Sequence, residues 1–143
     1  MISNSMATRL GAAMSMAVVL TTGCGTTELR QKAEATVIEF HQRLNEARFV
    51  EIYSNATAAF QASGPQADFE AILGGVRRKL GTFKNAQLRQ WRVTKATNGT
   101  FVELQYESQF DEDIALEAFT FLILNDEAVL QGYNINSITL VTK

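Results

Sequence analysis

The feature that most limits the folds open to this chain is a change of hydrophobic period near Thr82. Before it, apolar residues recur every three or four positions. Ala33, Val37, Phe40, Leu44 and Ala47 share one side of a helical wheel, with Glu28, Arg30, Lys32, Glu34, Glu39, Arg43 and Glu46 elsewhere, which predicts an amphipathic helix over about residues 27–47. Phe49, Ile52, Tyr53, Ala56 and Phe60 predict a shorter second helix, ended by Ala62-Ser63-Gly64-Pro65. Pro65 has the fixed φ and missing N–H that suit a first helical turn, and Phe69, Ile72, Leu73, Val76 and Leu80 then mark a third helix. Its last turn carries Arg77, Arg78 and Lys79, which complement the carbonyl end of the helix dipole, and Gly81 is the expected stop.

After Thr82 the period is two, and strands are predicted over about residues 87–97, 100–110, 114–124 and 128–140. Asn98-Gly99 is the hairpin signal between the first two, because a type I′ turn needs two positive φ values. Glu112-Asp113 and Asn125-Asp126-Glu127 mark the next turns. In the second strand Val102, Leu104, Tyr106 and Phe110 share one face, and Phe101, Glu103, Gln105, Glu107 and Gln109 the other. The third strand is apolar on both sides, with Phe119, Phe121 and Ile123 opposed by Ile114, Leu116, Leu122 and Leu124, so it is either central in the sheet or part of a subunit contact. Three N-terminal helices packed on a four-stranded antiparallel sheet is an α+β fold, and residues 28–143 are long enough for a single domain.

Residues 1–23 have a signal-peptide layout: one cation, Arg9, then an uncharged run into small residues. As a helix, residues 10–23 would rise only about 21 Å, short of the ~30 Å hydrocarbon core. Leu20-Thr21-Thr22-Gly23-Cys24 resembles the lipobox of bacterial lipoproteins, with Thr21 where that family usually carries Leu. The resemblance implies that residues 1–23 are removed, that the Cys24 thiol takes diacylglycerol and that the new amine is acylated, with palmitate expected. Residues 24–27 would then be the lipidated cysteine and a short linker. Each buried methylene contributes ~0.8 kcal/mol, so two or three acyl chains hold a protein at a bilayer. Gly25, in place of Lys or Asp, implies sorting to the outer membrane of the cell envelope, facing the periplasm.

Three helices followed by long antiparallel strands are similar to the nuclear transport factor two-like fold, a cystatin-like cone in which a curved sheet wraps a long first helix. Within it, "FHQRLNEARFVEIYSNA", "FEAILGGVRRKLG" and "LQGYNINS" look like small uncharacterised bacterial lipoproteins of that superfamily. The resemblance implies a cone that can enclose a pocket. Its members range from isomerases and dehydratases to non-catalytic binding and assembly modules, so fold alone names no activity.

The residues restrict chemistry further. The single cysteine is committed to lipid, and one histidine with scattered carboxylates gives no metal-ligand spacing, so no metal or other cofactor is expected. No G-x-S-x-G turn or phosphate loop follows a strand. Removing residues 1–23 takes away one cation and no acid, so the mature chain is more acidic than the −2 of the whole sequence, which disfavours nucleic acid as a partner. His41 and Glu117 are the acid–base candidates. His41 borders the apolar stripe of the first helix and reads first as an amphipathic edge residue. Glu117 is in phase with Phe119 and Phe121, yet Leu116, Ala118 and Leu122 offer an equally good inward face, on which Glu117 points to water. Tyr53, Trp91, Tyr106 and Tyr133 are the expected lining of any pocket. The leading reading is a non-enzymatic lipoprotein that binds a small apolar ligand or a protein; the alternative is a small isomerase- or dehydratase-like enzyme. A homodimer through the outer sheet face is a further expectation.

Overall fold

A computed structural model describes residues 24–142 of the chain. The elements in order are α1 (Cys24–Asn45), α2 (Phe49–Ser54), α3 (Ala58–Ala62), α4 (Gln66–Leu80), β1 (Phe83–Ala96), β2 (Gly99–Phe110), β3 (Ile114–Leu124), β4 (Glu127–Asn136) and α5 (Ile138–Thr142). The signal-peptide and lipobox expectations for residues 1–23 lie outside the described residues.

Helix α1 buries Ala33, Val37, Phe40 and Leu44 of the expected stripe, while Ala47, its fifth member, lies past the helix end and is exposed. The helix already includes Cys24, so residues 25–27, which read as a linker, are helical. It ends in a Schellman-type closure: Arg48 N–H donates to Arg43 O, Ala47 N–H donates to Leu44 O, and Ala47 takes φ +57 where glycine is usual. The expected second helix is interrupted at Asn55–Thr57. Thr57 N–H donates to Leu130 O in β4, while Thr57 Oγ1 accepts from Phe60 N–H and so caps α3. A tertiary hydrogen bond thus divides a segment whose periodicity is continuous. Helix α4 stops at Gly81, whose φ of +79 and 2.6 Å approach of a hypothetical Cβ to Asp111 Oδ2 exclude a side chain there.

The sheet is an antiparallel meander in the order β1-β2-β3-β4. The β1–β2 turn differs from expectation. Ala96 pairs with Gly99, leaving Thr97 and Asn98 at the tip, and Asn98 is not among the residues with positive φ. Two consecutive positive φ values occur instead at Asn125 (+48) and Asp126 (+68), between the paired Leu124 and Glu127, as a type I′ turn requires. Residues 138–142 form α5 rather than a continuation of β4, because Asp113 Oδ2 accepts from both Ser137 Oγ and Thr139 N and turns the chain.

One face of the curved sheet carries Val102, Leu104, Tyr106, Phe110, Ala115, Phe119, Phe121, Ala128 and Leu130, and packs against α1, onto which α2 and α4 pack in turn. In β4 an irregularity opposite Thr120 and Phe121 leaves Gln131 without a ladder partner. This extra residue resets the alternation, so Leu130 and Tyr133 both reach the core side. Among the described residues nothing covers the opposite face, and Ile114, Leu116 and Leu124 are exposed on it. Among the described residues, no helix is long and apolar enough to cross a membrane.

Candidate functional site

Two places combine polar groups with a shaped surrounding. The first is inside the core. In β3 the buried positions are Ala115, Glu117, Phe119 and Phe121, so the strand turns its aromatic face inward and takes Glu117 with it. Glu117 is 2% exposed and His41 3%, in place of the solvent-facing and edge positions expected from the sequence.

The carboxylate is held by donors from three elements. His41 Nε2 on α1 lies 2.7 Å from Glu117 Oε2, and Ser108 Oγ on β2 donates to the same oxygen at 2.5 Å. Tyr133 Oη on β4 donates to Oε1 at 2.6 Å. A buried carboxylate is costly unless it is paired and hydrogen-bonded, and these donors meet that requirement. Burial of the hydroxyl end of Tyr133, reinforced by the carboxylate, pushes its pKa well above the usual phenol value, so Tyr133 stays a donor.

The His41 ring is fixed from the other side by Phe83, stacked at 3.6 Å between centroids and 4° between planes. Asn45 sets that position, donating from Nδ2 to Phe83 O and accepting from Phe83 N–H. Phe40 and Phe119 meet the imidazole edge-on, at 5.6 and 5.8 Å. Neither His41 nor Glu117 lines either cleft described here. Chemically the cluster can hold and share a proton, but aromatic rings close it. Among the described residues, no group of three His, Cys, Asp or Glu is gathered for a metal ion.

The second place is an open cleft of about 500 Å³ between α1, α2 and the start of β4. Phe40, Ile52, Phe121 and Leu130 form its floor, while Lys32, Thr36, Glu39, Arg43, Asn55 and Asp126 form its walls. The charges are matched locally: Lys32 Nζ pairs with Asp126 Oδ1 at 2.5 Å, and Arg43 Nη2 with Glu39 Oε2 at 3.1 Å. An apolar floor under paired charges suits an amphipathic ligand.

The four aromatic residues expected around a pocket are dispersed. Tyr53 borders a smaller groove of about 270 Å³ with Phe60, Pro65 and Phe69, its hydroxyl facing the carbonyls of Gln61 and Gly64. Trp91 is 39% exposed, with the Arg30 guanidinium 5.1 Å above its ring. Tyr106 is packed beside Phe119, and burial pushes its pKa up to about 12. Tyr133 belongs to the Glu117 cluster.

One partner of Glu117, Ser108, escaped the sequence reading, and the other, Tyr133, was expected only as pocket lining. Ser108 lies between Tyr106 and Phe110 on the inward stripe of β2, a polar interruption visible in the sequence. Tyr133 is brought inward only by the Gln131 irregularity, which leaves no comparable signal. The open cleft was also missed, since its walls come from segments far apart in the chain.

No curated protein matches the chain. Residues 32–133, which span the greater part of α1 through most of β4, match the family described as "Protein of unknown function (DUF4019)", and the chain belongs to that family.

Proposed function

We propose that this chain is a lipid-anchored, non-enzymatic binding module of the bacterial cell envelope, attached through Cys24 to the outer membrane and facing the periplasm. We further assign its domain to the nuclear transport factor two-like cones, a reading supported by a long first helix lying in the hollow of a curved antiparallel sheet. The observation that carries the binding role is a contrast: the acid–base cluster is closed by Phe40, Phe83 and Phe119, whereas the cleft beside α1 stands open.

Native mass spectrometry of the protein isolated from envelopes tests this role. A bound small molecule or peptide is expected, and it should be lost in Ala35→Trp, which fills the cleft from an exposed position. An empty cleft across a broad ligand screen overturns the role. Anchoring is tested separately with labelled fatty acid, which should enter the native chain and not Cys24→Ser.

The enzyme alternative has one observation in its favour, the 2.7 Å contact of His41 with Glu117, a base beside a carboxylate. It requires a substrate path through the aromatic closure. A turnover abolished by His41→Gln in a folded protein is what would establish it.

A further inference from the structure

We propose that the cleft between α1 and β4 binds an extended peptide segment, which it holds through the peptide's carbonyl oxygens and not its N–H groups. This rests on the reading of the cleft as the binding site. The type I′ turn sets the hydrogen-bonding phase of β4. Leu124 and Glu127 flank a two-residue turn and exchange ladder bonds, as do Leu122 and Val129 two residues on. Ala128 and Leu130 fall on the alternate positions, so their N–H and C=O groups point away from β3, toward the free edge and the cleft.

The carbonyls on that edge are already engaged. Thr57 N–H donates to Leu130 O at 2.9 Å, and the single proton of the Thr36 hydroxyl is shared between Ala128 O at 3.1 Å and the Lys32 O of its own helix at 3.2 Å. Among the described residues, no such partner meets the N–H groups of Ala128 and Leu130. The edge therefore presents its N–H groups unpaired and its carbonyls each with a donor already beside it. Alternate residues of a strand are about 6.8 Å apart, which is also the repeat of alternate carbonyls in an extended peptide. Along α1, Lys32 and Arg43 are separated by about 16 Å of helix, the length of roughly five extended residues. Both cations are neutralised by acids beside them, so the middle of the cleft selects an apolar side chain for Phe40 and Ile52 rather than a charged one.

Isothermal titration with acetylated, amidated pentapeptides carrying an apolar central residue tests the assignment. Binding should persist when the peptide is N-methylated at the amides facing the edge, because the carbonyls opposite them already have donors beside them. Ala128→Pro removes one donor at an edge position where proline is tolerated, and should weaken binding about ten-fold, the worth of one well-placed hydrogen bond. Thr36→Ala, which leaves the N–H groups in place, frees the Ala128 carbonyl; unmethylated peptide should then bind more tightly than methylated peptide. Loss of binding on N-methylation in the native protein overturns the proposal, as does indifference to both variants. If no peptide binds while a non-peptide amphiphile is displaced by Ala35→Trp, the cleft reading stands and the peptide assignment falls. If neither binds, both fall.

Discussion

Nε2 of His41 and Oε2 of Glu117, 76 residues apart in sequence, meet at 2.7 Å in the core and tie the long first helix to the third strand. With Ser108 and Tyr133 on the same carboxylate, one side chain links α1, β2, β3 and β4. Half-removal of such a set is worse than full removal, because each orphaned donor keeps its desolvation cost. Glu117→Leu should therefore destabilise the protein by about 3–5 kcal/mol in denaturant unfolding. Adding His41→Phe, Ser108→Ala and Tyr133→Phe should restore most of that loss. A single Glu117→Leu variant as stable as the parent would falsify the account of the cluster.

Alkaline titration separates the tyrosines. Burial pushes the Tyr106 pKa up to about 12, and burial with the adjacent carboxylate raises that of Tyr133 well above the usual phenol value. A phenol whose folded pKa is raised contributes stability that is present below the unfolded value of ~10 and lost as pH rises above it. Absorbance near 295 nm should show Tyr133 silent until the protein unfolds. Reversible ionisation of Tyr133 in the native state would contradict this.

Acid behaviour has the opposite sign. The hydrogen bond from Lys84 and the Thr82 N–H hold Asp111 at about 2, and Ser137 with the Thr139 and Ile114 N–H groups holds Asp113 at about 2. Carboxylates with depressed folded pKa values stabilise above the unfolded value of ~3.9, and that contribution disappears as pH falls toward 2. Melting temperature should drop across this window, and Asp113→Asn should flatten the drop while loosening α5. An unchanged pH profile in Asp113→Asn would count against the Ser137–Thr139 contacts.

The outer sheet face yields a prediction about mass. Leu116 is 59% exposed and Leu124 43%, on a face that no helix covers among the described residues. The proposed homodimer buries them, so light scattering should report twice the monomer mass at high concentration. Leu116→Lys with Leu124→Lys should return it to monomer. Monomer mass for the parent at all concentrations would remove the dimer.

Much of the fold was legible because local and tertiary preferences agree. Gly81 ends α4 where its positive φ is needed, and β3 keeps the bounds its alternation sets, Ile114 to Leu124. Where they disagree, a distant partner decides. Thr57 leaves the helical period to donate to Leu130, and Ser137 turns the chain by binding Asp113. The candidate site was legible in His41 and Glu117 as acid–base candidates and in Tyr133 as a pocket-lining residue, and not in its arrangement. The facing of Glu117 depends on which side of β3 is covered, and two apolar faces cannot decide that from within one strand. Ser108, Tyr133 and His41, each waiting with a donor on the covered side, do.

The threonines that occupy the outward carbonyls of β4 bear on behaviour in a crowd. An unfinished sheet margin ordinarily serves as a template on which another copy can zip, the first step toward fibrils. Copies concentrated on a surface meet at high local density, where such zipping is most dangerous. With Thr57 on Leu130 O and the Thr36 hydroxyl beside Ala128 O, two carbonyls that templated growth would use on this margin already have donors.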